Sequence, residues 1–239
     1  MPGPLGTDSN SPTPDKGTLQ LARNPALGPT GAQPTAAQET VLNLTSEERS
    51  LAAVAYAEGS IKNVFEEMAG IAAVVVRQAA ARHQTVIQFL QSPVAPRFTH
   101  VLANGNPRHE ALSRATDAEI SNSAGMMTAV KAARHALAGK QDFSAGGYFW
   151  DGADIRDRYE KHPKVQLDGI HFTSPKHNIY GIKERDVPGE NYYTYPDSRP
   201  PKLRGKWKYK YESTTAIGGT VFWRLNADFI KGAGNKEYD

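Results

Sequence analysis

Between Leu51 and Arg82 the chain reads LAAVAYAEGSIKNVFEEMAGIAAVVVRQAAAR, two apolar stretches joined by a polar break at Glu58, Gly59 and Ser60. Leu51, Val54 and Ala55 fall at helical spacing, with Thr45 or Ser46 as a cap. Glu47 and Glu48 sit in the first turn, where the helix dipole favours acids. Phe65, Met68, Ile71, Ala72, Val75 and Ala79 predict a second helix over 64–83. Its GIAAVVV section is apolar on every side, the mark of a buried central helix. A short third helix is expected over 86–91, stopped by Pro93. Residues 92–110, with Pro93, Pro96, Pro107 and an Asn-Gly pair, read as loop. A further helix over 124–138 closes at Gly139.

Beyond that helix the pattern changes. Residues 146–150 read as a short extended segment, and 156–210 is rich in His, Tyr, Lys, Pro and Asp but poor in aliphatic residues. That stretch must wrap the helical part as long loops and short strands. The WKYKYE alternation predicts one strand over 207–212, AIGGTVFWR another over 216–224, and a short last helix lies near 225–230. The fold class expected is α+β, predominantly α.

Composition adds bounds. An apolar content of 39% in 239 residues supports a real core, and no run approaches the ~18 apolar residues of a membrane span. The absence of Cys excludes disulfides, thiolate metal sites and a cysteine nucleophile. A net charge of +3 suits an anionic polymer such as peptidoglycan or nucleic acid. Residues 1–40, rich in Pro, Gly, Thr, Ser, Ala and Gln, read as a disordered arm, either a tail or a loading segment for a secretion machine. Residues 41–239 form the folded domain. MPGPLGTDSNSPTPDKG lacks the basic and apolar regions of a secretory signal, so a substrate outside the cytoplasm implies another export route.

Glu58 is the first catalytic candidate. A carboxyl at the C-terminal end of a buried helix faces the negative end of the dipole and an apolar wall. Both favour the protonated form that a general acid needs. Ser60 either hydrogen-bonds that carboxyl or caps the next helix. Glu66 and Glu67 are first-turn acids of the second helix. Tyr148, Phe149 and Trp150 offer faces on which sugars stack, although strand alternation sends at least one of them to the core. Asp151 and Asp154 follow at the strand end, where loops carry function. Asp168, His171 and His177 lack tight ligand spacing, and no metal or cofactor is expected. KLRGKWKYKYE interleaves cations with aromatics, a pattern open to single-stranded nucleic acid, an acidic glycan or a solvated strand face.

Three blocks, in order, resemble the SleB-type cell wall hydrolases. AVAYAE (53–58) with Glu66 and IAAVVV (71–76) resembles that family's tyrosine–glycine–glutamate block and its alanine–valine helix. VKAARHALAGKQDFSAGGYFW (130–150) resembles its helix, glycine turn and aromatic strand, and IGGTVF (217–222) its closing block. The chain departs from the pattern at Ala57, where the family has glycine, at Lys62, where it has a second glutamate, and at Thr220, where it has histidine. The spacing to Glu66 is one residue longer, and the 156–210 segment is long for the family. The resemblance implies a lysozyme-like helical core with short strands and long loops in the C-terminal half. It also implies cleavage of peptidoglycan between MurNAc and GlcNAc, with Glu58 as acid/base, Glu66 as a second catalytic candidate, and Ser60, Tyr148, Trp150, Asp151 and Asp154 as substrate contacts. With Lys62 in place of the second glutamate, a lytic transglycosylase is favoured over a hydrolytic muramidase. Glu66, Glu67, Asp151 and Asp154 each remain open as a second carboxylate. The expected setting is an antibacterial effector, for example type VI secretion cargo acting in the target periplasm, with a cognate immunity protein as partner. A non-catalytic peptidoglycan-binding module and a nucleic-acid toxin are the alternatives.

Overall fold

The computed structural model describes residues 42–197 and 199–239, so the arm expected over 1–40 lies outside the described residues. The described chain is α+β and predominantly helical. Helix α1 (Ser46–Glu58) starts at Thr45, whose hydroxyl accepts from the Glu48 amide while the Glu48 carboxylate accepts from the Thr45 amide. This reciprocal box satisfies two backbone donors that a helix start leaves unpaired. Helix α2 (Phe65–Ala81) is the central element, packed against α1 and, through Ile71, Val74, Val75 and Ala79, buried in the helical core. Gly70 lets it approach the sheet closely, since a Cβ there would stand 2.7 Å from the Phe222 ring.

Helix α3 (Val86–Leu90) carries a second box, Thr85 with Gln88. The stretch expected as loop over 92–110 instead holds a 3-10 turn at Ala95–Arg97, α4 (His100–Asn104) and α5 (Pro107–Arg114). Pro96 and Pro107 sit in the first turns of these helices rather than preventing them, because a first turn needs no N–H from that residue. Helices α6 (Asp117–Asn122) and α7 (Ala124–Leu137) complete the layer, and α7 packs on both α1 and α2.

A four-stranded sheet covers one side of this layer. Its strands are β1 (Phe149–Asp151), β2 (Ile170–His171), β5 (Tyr211–Ile217) and β6 (Thr220–Leu225), in the order β1-β6-β5-β2, with only β2 and β5 parallel. Between β1 and β2 lies the short helix α8 (Asp154–Asp157). Alternation along β6 divides two cores: Phe222 joins the helical one, whereas Val221 and Trp223 join Ile155, Val165, Ile170 and Phe172 on the opposite face. The single strand expected over 216–224 is therefore the hairpin of β5 and β6, turning at Gly218, whose φ of 65° is the left-handed conformation such turns require.

A separate ribbon pairs β3 (Gly189–Tyr193) with β4 (Lys202–Trp207) and packs on the final helix α9 (Ala227–Ala233). The strand expected over 207–212 is corrected accordingly: Trp207 ends β4, Tyr211 begins β5, and the two belong to different sheets. Among the described residues no helix is long and apolar enough to cross a membrane.

Candidate active site

Glu58 is the last residue of α1. Its Oε1 accepts from the Thr99 hydroxyl at 2.6 Å and from the Val101 amide at 3.4 Å, and its Oε2 from the Trp150 indole at 3.3 Å. Thr99 and Trp150 are buried, 1% and 9% exposed, so both donors are fixed by packing before any ligand arrives. Among the described residues every hydrogen-bond partner of Glu58 is a neutral donor. Oε1 is engaged twice and Oε2 once, by a long bond, which leaves Oε2 with the capacity to meet a substrate.

The carboxyl opens into a cleft of about 1630 Å³, lined by Arg97, Phe98 and His100, by the edge strand β1 and by residues between Gly152 and Lys164. Trp150, Asp151 and Asp154 all line it, so three of the expected contacts share the cleft with Glu58, and Trp150 touches it. Trp150 is largely packed in the helical core, and its indole N–H holds Glu58 at the cleft. Its neighbour Phe149 lies on the cleft wall and stacks on Phe98 at 5.5 Å.

Asp151 and Asp154 belong to one charge network. Lys164 is ion-paired to Asp151, and His162 Nε2 lies 3.5 Å from Asp151 and 3.3 Å from Asp154. Burial pushes the Asp151 carboxyl up, against the opposing pull of Lys164. Asp154 is held below the usual carboxylate range, first by its hydrogen bond with His162. The donor atoms of Asp151, Asp154 and His162 lie within 4.8 Å of one another, the one cluster among the described residues with cation-site spacing. The Lys164 ammonium already supplies the positive charge there, which makes the cluster an ion-pair network in its own right. Asp168, His171 and His177 are apart from it, bonded to Lys210, Glu184 and Ser213 respectively.

Three expected residues lie outside the cleft lining. Glu66 is exposed in the first turn of α2. Its neighbour Glu67 is fully buried instead and accepts from Ser60 Oγ at 2.6 Å, the Gly219 amide at 2.9 Å and Thr220 Oγ1 at 2.9 Å. Ser60 therefore neither touches Glu58 nor caps α2, whose N-cap Val64 makes no side-chain hydrogen bond. It ties the joint after Glu58 to the β5–β6 turn. Tyr148 precedes β1, and its ring lies under the Arg77 guanidinium at 5.5 Å. Sequence reasoning missed Thr99, His162 and Lys164, whose roles arise from contacts distant in the chain and leave no local pattern. Burial of Glu67 was readable, because it stands four residues before Ile71 and eight before Val75 on the apolar stripe.

No family model matches the chain, and comparison with curated proteins and with solved structures likewise yields no match.

Proposed function

We propose that the domain has a lysozyme-like helical core and cleaves peptidoglycan between MurNAc and GlcNAc, with Glu58 as the acid. One observation carries the reading: a helix-end carboxyl, oriented by buried Thr99 and Trp150, opens into a cleft large enough for several sugar rings. In the first step Glu58 passes its proton to the glycosidic oxygen while positive charge develops on the ring. A lytic transglycosylase would then let the same carboxylate take a proton from the muramic 6-hydroxyl, closing a 1,6-anhydro ring. A muramidase would need a second carboxylate within reach of the cleft.

The basic-aromatic run gives the nucleic-acid alternative little support. It is split between two sheets, and Lys206 and Lys210 are ion-paired with Glu190 and Asp168. A non-catalytic binding role leaves the oriented carboxyl without a task. We read the biological setting as an antibacterial effector delivered to the target periplasm, with a cognate immunity protein covering the cleft in the producing cell.

Expression in a Gram-negative host tests this reading. Directed to the periplasm, the wild type is expected to lyse cells, whereas the Glu58→Gln variant leaves them intact. Equal toxicity of both proteins from the cytoplasm, with normal murein, would replace it with an intracellular target.

A further inference from the structure

We propose that Asp154 is the second carboxylate of the cleft: it draws the proton from the water that attacks the sugar, so the glycan is hydrolysed. The inference rests on the reading of Glu58 as glycosidic acid and decides between the two routes that follow it.

The position of Asp154 carries the argument. It opens α8, three residues after β1 ends, and lines the same cleft as Glu58 with its side chain 48% exposed. Both of its oxygens are oriented, Oδ1 by the Gly152 amide at 3.1 Å and Oδ2 by His162 Nε2 at 3.3 Å. Behind it the network is dry. His162 is 8% exposed, and the side chains of Asp151 and Lys164 are 11% and 12% exposed. Lys164 and Asp151 offset one another's charge, and His162 bridges Asp151 to Asp154. A buried scaffold thus presents one held carboxylate to the open cleft.

Other carboxylates lack this combination. Asp151 is enclosed and ion-paired, Glu67 is sealed beneath three donors, and Glu66 does not reach the cleft. Asp157 and Asp168 are paired with Arg156 and Lys210. Glu160 and Asp239 also line the cleft, but among the described residues no hydrogen bond orients Glu160, and Asp239 is held at one oxygen only, by the Lys236 amide at 2.9 Å. The low proton affinity of Asp154 noted above keeps it ionised, as a base must be. His162 and Lys164 come from the long 156–210 segment, which has no counterpart in the blocks resembling the cell wall hydrolases.

The step balances with water alone. Glu58 protonates the glycosidic oxygen as its bond to C1 breaks, and the water oxygen bonds to C1 as its proton passes to Asp154. The products are a reducing-end sugar and a free 4-hydroxyl. Asp154 releases its proton to solvent and Glu58 takes one up.

The test is digestion of purified sacculi in ¹⁸O-water, with products trapped by borohydride reduction and read by mass spectrometry. The wild type is expected to leave ¹⁸O at new MurNAc reducing ends. Asp154→Asn should slow their release about 100-fold. Formate should restore part of the rate to Asp154→Ala, a rescue that a purely structural role would not show. Anhydro-MurNAc ends from the wild type would overturn the inference and leave Glu58 as the acid. Undiminished ¹⁸O-labelled release by Asp154→Asn would overturn it as well. Absence of any glycan product from the wild type would remove the parent reading and this inference with it.

Discussion

Asp142 shows how one side chain can set the geometry of a distant carboxyl. Its oxygens accept from the Ser144 amide at 2.9 Å, the Ser144 hydroxyl at 2.6 Å and the Gly146 amide at 2.7 Å, and it is ion-paired with Arg77 of α2. The turn it ties down leads into β1 and so places Trp150 against Glu58. Burial opposes its ionisation, but the Ser144 and Gly146 hydrogen bonds and the Arg77 charge outweigh that and hold its carboxyl below the usual value. A depressed folded-state value means the stabilisation is fully present above the unfolded-state pKa of about 4 and fades as pH falls through the folded one. Asp142→Asn is therefore expected to cost about 1–3 kcal/mol at pH 7. The gap from wild type should shrink in urea unfolding at about pH 3. A gap independent of pH would show that the charge contributes nothing. At this scale Glu58 was legible, because an apolar helical run ends on it. The choice between Glu66 and Glu67 turned on which face of α2 is buried, and the stripe through Ile71 and Val75 decides it for Glu67.

At the scale of elements, amphipathic periodicity located α1, α2 and α7 to within a few residues, since each buries a continuous stripe. Shorter elements escaped it. Helices α4 and α5 span only a turn or two and owe their existence to packing and to Asn106, whose side chain accepts from the Arg108 and His109 amides. The Gly218–Gly219 pair was a hairpin signal inside what read as one strand. The β3–β4 ribbon depends on tertiary contact of a kind that composition does not record. Gly205 meets Gly232 of α9 backbone to backbone, Trp207 packs edge-on to Phe229 at 5.1 Å, and Asn191 donates to the Gly232 carbonyl at 3.2 Å. A Cβ at Gly205 would collide with the Gly232 Cα, a backbone atom, so one of the two chains must shift. Gly205→Ala is expected to speed amide exchange in β3 and β4 by roughly tenfold or more, the effect of an overpacking cost of about 1–3 kcal/mol. Because no residue of either strand lines the cleft, glycan cleavage should persist. Unchanged exchange would mean that the ribbon does not rely on this contact.

Across the whole molecule, the cleft lies where three separately held parts meet: the end of α1, the Thr99 turn, and the β1 edge with the 152–164 segment. Each part contributes what the others lack. In the proposed reaction helix α1 would supply the acid, held by buried Thr99 and Trp150, and Asp154 would supply the second carboxylate. The sequence blocks that resemble the cell wall hydrolases cover the end of α1 and Trp150 of β1, but not the Thr99 turn. The single-acid expectation came from Lys62, which stands where the family has a second glutamate, while Asp151 and Asp154 stayed open as second carboxylates. What the sequence left out is the His162 and Lys164 network behind them. The proposed activity stands or falls with Glu58-dependent cleavage of the glycan strand. Its most direct test is mass spectrometry of soluble muropeptides from purified sacculi treated with wild type and with Glu58→Gln. Fragments cut between MurNAc and GlcNAc are expected from the wild type and essentially none from the variant. Equal glycan cleavage by both proteins, or fragments cut only at peptide bonds, would contradict it.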